Sequence, residues 1–216
     1  MPEDTRHHHS PALSVAALEE WGRNVEHIMR AVAHALNNRA AALSAVIQLA
    51  SDPSDDDVTS TIGILSGELQ RLNDLSLIVR TMASPPPRSG VEAFAPQDAA
   101  AESLVVIRLQ VEEPDDVTIE SRAAPPIRLP RWMFVRALIA LFGAATNRVT
   151  GTGCIRIAIE GDGDWVVARV EGVEAPTSAL SPYTAELAMA MGGEALENRL
   201  GFRVPTLAAL RQREAR

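Results

Sequence analysis

The sequence predicts an α plus α/β fold: a long helical hairpin that forms a dimeric four-helix bundle, followed by a small α/β sandwich. Three observations predict it. A proline cluster, Ser84-Pro85-Pro86-Pro87-Arg88-Ser89-Gly90, excludes helix and central strand and divides the chain. Before it, apolar residues recur at helical spacing over two long stretches. After it, strand-like and helix-like runs alternate. The expected parts are a disordered tail at 1–10, a helical hairpin at 11–84, a linker at 85–91 and the α/β domain at 92–216.

The first helix of the hairpin is predicted from about Pro11 to Ala50. Its apolar positions are Leu18, Trp21, Val25, Met29, Val32, Leu36, Leu43, Val46 and Ile47. The run Ser51-Asp52-Pro53-Ser54-Asp55-Asp56-Asp57 supplies the turn and places carboxylates at the start of the next helix, where the dipole favours them. The second helix, about Ser54 to Ala83, repeats Ile62, Leu65, Leu69, Leu72, Ser76 and Val79 at alternating three- and four-residue steps. That is a coiled-coil seam broken only by Ser76. Leu75, Ile78 and Met82 widen it to a bundle-like stripe. A lone hairpin has too little partner surface to cover such stripes, so a homodimer is expected through residues 11–84.

In the second region, helices are expected at Asp98–Val111, Arg131–Arg148 and Pro182–Met191, the last ended by Gly192-Gly193. Strands are expected at Val117–Ser121, Cys154–Glu160, Trp165–Glu171, Ala195–Asn198 and Phe202–Pro205. Gly161-Asp162-Gly163-Asp164 joins two of them as a hairpin turn in preference to a calcium loop.

Composition narrows the function. The 216 residues carry a formal net charge of -8 with a pI of about 5.2, which argues against nucleic acid and anionic membrane surfaces as partners. No apolar run approaches the ~18 residues of a membrane span. The N-terminus lacks a signal-peptide core, so a cytoplasmic location is expected. The single cysteine, Cys154, is expected to be a buried, inert thiol in an apolar strand. His7, His8 and His9 are read as a polar tail.

One histidine stands apart. On a wheel of about 100° per residue with Val25 at zero, Met29, Val32, Leu36, Leu43 and Ile47 fall within roughly 40° and His34 at about 180°. His34 therefore projects from the outer, polar face. Arg30 and Asn38 lie one turn to either side, where a cation and an amide can orient a phosphoryl group. Ala41, Ala45 and Gln48 continue the strip and let a partner helix approach closely. An exposed imidazole is largely neutral near neutral pH, hence nucleophilic. His27 lies on the same face, but its flanks lack an asparagine pair.

The run Ala33-His34-Ala35-Leu36-Asn37-Asn38-Arg39-Ala40-Ala41-Ala42-Leu43 resembles the phosphoacceptor motif of sensor histidine kinases, which often reads Ala-His-Glu-Leu-Asn-Asn-Pro-Leu. The resemblance implies His34 as phosphoacceptor and Asn38 as the residue that positions phosphoryl groups or water. It implies a kinase-like ATP-binding fold for the second region, and it makes Asn37 and Arg39 candidate partner contacts beside Arg30, Ala41, Ala45 and Gln48.

The departures from that motif are specific. Ala35 replaces the acidic residue that assists attack on ATP, and Arg39 replaces proline. Ala140 and Ala144 stand at the asparagine positions that would ligate magnesium, with Asn147 out of register. Glu171-Gly172-Val173-Glu174-Ala175-Pro176 and Ser178-Ala179-Leu180-Ser181-Pro182-Tyr183 replace the two glycine-rich boxes. The second domain thus resembles a degenerate histidine-kinase ATP-binding domain. The whole chain is similar to ChpT-like histidine phosphotransferases, which relay phosphoryl groups between receiver-domain aspartates. That resemblance implies response-regulator receiver domains as partners, no cofactor of the chain's own, and magnesium only in the receiver. The alternative expectation is a non-catalytic pseudokinase or adaptor that binds a response regulator or kinase.

Overall fold

The computed structural model describes residues 13–50, 58–83, 90–111, 117–146, 154–174 and 180–215. The expected tail with His7 to His9, the 51–57 turn, most of the 85–91 linker, Asn147 and Ser178-Ala179 lie outside the described residues. The element order is α1 (Val15–Ala50), α2 (Val58–Ala83), β1 (Glu92–Phe94), α3 (Pro96–Arg108), β2 (Val117–Arg122), β3 (Ile127–Leu129), α4 (Arg131–Thr146), β4 (Ile155–Asp162), β5 (Trp165–Glu174), α5 (Pro182–Ala190), β6 (Glu194–Ala195), β7 (Arg199–Pro205) and α6 (Leu207–Glu214). The architecture is a helical hairpin followed by an α/β domain with a mixed five-stranded sheet.

The sheet order is β2-β4-β5-β7-β6, with β2 parallel to β4 and the other pairs antiparallel. α4 makes the crossover between β2 and β4. It is buried from Met133 to Phe142 and forms the axis of the core with Ile157, Ile159, Val166 and Phe202. The two-residue turn after Asp162 pairs it with Trp165, as the glycine-aspartate signal predicts, with Gly163 at φ 56°. Gly192, at φ 75°, ends α5, and a Cβ on Gly193 would collide with the Arg203 carbonyl.

Several expectations need correction. Cys154 is exposed, because β4 begins one residue later, at Ile155. The strand expected at Ala195–Asn198 is instead β6 at Glu194–Ala195, and the chain turns at Asn198, which has φ 57°. β1 and β3 form a separate antiparallel pair, and α6 follows β7; neither feature is marked by a long enough apolar pattern to be read.

The hairpin changes most. Ala17, Ile28, Val32 and Val46 are buried on α1, whereas Leu18, Met29, Leu36 and Ile47 are exposed. The buried line lies roughly 50° to one side of the predicted stripe centre. On α2 the expected seam residues Ile62, Leu65 and Leu69 are exposed, and Leu75, Ile78 and Met82 are the buried ones. One chain therefore covers one edge of each apolar stripe and leaves the other edge open.

Trp21, expected in the hairpin, instead docks the hairpin to the second domain. Its ring stacks on Tyr183 of α5 at 4.8 Å, and the Arg136 guanidinium of α4 lies 5.0 Å from the Trp21 ring and 5.2 Å from the Trp132 ring. The Glu20 carboxylate accepts from the Tyr183 backbone N–H at 3.0 Å, and Glu186 accepts from the Ser14 N–H at 2.7 Å. These contacts hold α1 against α4 and α5. α3 is in turn fixed to α4 by Glu102, which accepts from Arg131 Nε at 3.1 Å.

Candidate functional site around His34

His34 sits in the middle of a 36-residue helix that spans about 54 Å, so its backbone is held on both sides by many helical turns. Its side chain is exposed, as the wheel requires. The Asn38 amide nitrogen lies 3.3 Å from His34 Nε2, one turn on. An amide nitrogen only donates. In the neutral ring this contact therefore puts the lone pair on Nε2 and the proton on Nδ1.

The imidazole does not face open solvent alone. It lines a cleft of about 1230 Å³ between the hairpin and α3. α1 contributes Ala31, His34, Ala35, Asn38 and Arg39; α2 contributes Arg71, Asp74, Leu75 and Ile78. The far wall is Ala101, Leu104, Val105 and Arg108 of α3, continued by Leu109, Gln110 and Val111. The lining joins apolar side chains to three arginines, Arg39, Arg71 and Arg108, and one carboxylate, Asp74.

The other sequence-predicted residues divide into two groups. Asn38 and Arg39 share the cleft with His34. Arg30 is exposed and donates from Nη2 to Glu26 at 2.9 Å, so its described partner is another residue of α1 and it does not line the cleft. Asn37, Ala41, Ala45 and Gln48 are exposed on α1 but likewise do not line the cleft. His27 lines a second cavity of about 640 Å³ with Glu20, Arg23, Asn24, Thr146 and Ser181.

The chain is similar to histidine kinases of known structure. It matches the Acinetobacter baumannii histidine kinase AdeS with 15% identity and a TM-score of 0.41, covering 81% of this chain and 98% of that one. It matches the histidine kinase ThkA, solved in complex with the response regulator TrrA, with 17% identity and a TM-score of 0.40, over 91% and 68% of the two chains. A bacterial phosphotransferase matches with 15% identity and a TM-score of 0.42, over 90% and 99%. No family model matches the chain, and no curated protein matches it. Likeness at this level says nothing of chemistry, which rests on this chain's own residues.

The two described positions that the resemblance assigns to magnesium ligands carry no ligand atom in their side chains. Ala140 is buried in the core, and Ala144 is half-buried and lines the second cavity with Asn24, Phe142 and Gly143. α1 approaches this end of α4 and α5 through Trp21, Glu20 and Asn24, whose Oδ1 would lie 3.6 Å from a Cβ on Gly143, and the cavity of about 640 Å³ lies between them.

Sequence reasoning missed Glu68, Arg71, Asp74 and Arg108. Glu68 is 4% exposed, and it accepts from Arg39 Nη1 at 3.2 Å and from Arg71. The sequence marked Arg39 only as a candidate partner contact standing in place of proline. A pairing between two helices has no local signal, because it depends on how α1 and α2 cross. The one available hint was an acidic residue beside the apolar seam of α2, where burial requires a cationic partner.

Proposed function

We propose that the chain is a histidine phosphotransferase of two-component signalling, which relays phosphoryl groups between receiver-domain aspartates through His34 and without ATP. The observation that carries this reading is the Asn38 contact to His34 Nε2 at the cleft between the hairpin and α3. The Nε2 lone pair attacks phosphorus, the aspartyl P–O bond breaks, and the electron pair leaves on the aspartate oxygen. The Nδ1 proton passes to water. Asn38, released from the imidazole, donates to a phosphoryl oxygen. Transfer to a second receiver is the reverse sequence. The receiver brings its own magnesium, so Ala140 and Ala144 cost the reaction nothing. The absence of a carboxylate at Ala35 fits a donor that is already an activated acyl phosphate.

The active unit is a homodimer. Met29, Leu36 and Ile47 of α1 and Ile62, Leu65 and Leu69 of α2 form apolar edges that one chain leaves open. A second copy covers them as a four-helix bundle and leaves each His34 on the outer flank. Asn37, Arg39, Ala41, Ala45 and Gln48, with Arg30 at the far end, border the receiver on α1.

Incubation with phosphorylated receiver domains tests this. Wild type acquires an acid-labile phosphoryl group, and His34→Ala does not. A panel of receivers that never labels wild type overturns the proposal. Calorimetry that detects magnesium-ATP binding overturns its ATP-free part.

A further inference from the structure

We infer that Glu68 is a positioning residue: it holds Arg39 and Arg71 as a paired cation on the wall of the His34 cleft, placed to take the phosphoryl oxygens during transfer. This rests on the phosphotransfer reading above and assigns new residues to it. Glu68 is buried, its side chain 6% exposed, while those of Arg39 and Arg71 are 34% and 57% exposed. A buried carboxylate between two half-exposed guanidinium groups is an anchor, because its own oxygens are out of reach of any ligand. Arg39 Nη1 donates to both Glu68 oxygens, at 3.2 and 3.4 Å, and Arg71 donates through its own Nη1. A guanidinium has five donors. The remainder of each fork is left for an anion in the cleft that both residues line with His34 and Asn38. Arg39 is adjacent in sequence to Asn38, so the cation and the amide are carried by one helical turn.

Loss of the Glu68 charge separates this from simple electrostatics. Glu68→Gln makes the cleft more positive. If only the local field mattered, it would speed attack by His34 on an anionic donor. If Glu68 positions the arginines, it slows attack by about tenfold or more, since small misplacements of a charge-stabilising group have effects of that size. Arg39→Lys keeps the charge and loses the fork, and it is expected to slow attack by a similar factor. It also serves if Glu68→Gln fails to fold.

The experiment uses the full chain and two donors. Phosphoramidate phosphorylates His34 with no partner protein: the Nε2–P bond forms, the P–N bond of the donor breaks, and ammonia leaves with the Nδ1 proton as ammonium. A phosphorylated receiver is the second donor. Folding is checked by circular dichroism, and Arg122→Lys, in β2 and outside the lining of the His34 cleft, is the control. Slower labelling of both variants by both donors, with Arg122→Lys unchanged, is the expected result. Slowing with the receiver alone assigns the arginines to protein docking and overturns the inference. Equal or faster labelling of folded variants by phosphoramidate also overturns it. If phosphoramidate labels wild type at His34 but no receiver does, the phosphotransfer reading falls while the effect of Glu68 is still measured. No labelling of His34 by phosphoramidate overturns both.

Discussion

Trp21 of α1 lies 4.8 Å from Tyr183 of α5, ring on ring and 14° from parallel, although the two residues belong to different halves of the chain. The Arg136 guanidinium closes the cluster over the Trp21 and Trp132 rings. The cluster couples the folding of the hairpin to that of the α/β domain. Trp21→Ala is expected to lower stability by about 2–4 kcal/mol through lost stacking and burial. It should also split a single urea transition into two, followed by circular dichroism at several wavelengths.

Tyr183 is the only tyrosine in the sequence, so its phenol can be followed directly by absorbance. Burial is the main cause that pushes its pKa up from 10.0 to about 12, with Arg136 opposing and Glu20 adding to the rise. The folded protein therefore favours the neutral phenol. That contribution to stability is complete below pH 10.0 and is lost as pH rises through about 12. An absorbance titration should show ionisation near the upper value in wild type and closer to the ordinary one in Trp21→Ala.

At the start of α1 the sign is opposite. The Ser14 hydroxyl and backbone N–H donate to Glu186 and hold its carboxyl below the usual range. The tie is complete above the ordinary carboxylate pKa and is lost as pH falls through the lowered value. Ser14→Ala should unfold at lower urea than wild type near neutral pH, and the two midpoints should converge in acid.

The open apolar edges give a separate test of assembly. Leu36 is 41% exposed and Leu69 61% exposed in one chain, yet both lie on the stripes assigned to the second copy. Leu36→Asp and Leu69→Asp place charges in that interface at a cost of about 2–3 kcal/mol or more each. Sedimentation velocity should show dimer for wild type and monomer for either variant, with helical content retained. Monomeric wild type at micromolar concentration would contradict the four-helix bundle.

Much of this was legible in the sequence because it is periodic. The hairpin, α4, the β4–β5 hairpin and the Gly192 stop all follow from apolar spacing or from glycine conformations. His34 and Asn38 followed from a wheel and a motif, and the structure brings them within 3.3 Å. What escaped depends on how elements meet. Trp21 fits a hairpin seam as well as a domain contact, and the helical period alone does not choose between them. The same holds for Leu69 against Leu75: both lie on one wide stripe, and only the angle of approach decides which faces α1. Glu68 looks like any surface acid until Arg39 arrives from the other helix. Cys154 was misplaced by one residue, which is enough to move a side chain from core to solvent at a strand end.

The contacts of Trp21, Arg136 and Glu20 have an effect on the opposite end of the second domain. They hold α4 against α1, and α4 is tied to α3 through Arg131 and Glu102, so the same contacts bear on the two walls of the His34 cleft. Under the proposed relay, a change at the Trp21 cluster therefore alters the fit of a receiver at His34 without touching either one. Under the same proposal, charge around the rim governs how quickly a receiver arrives, and shape governs how long it stays.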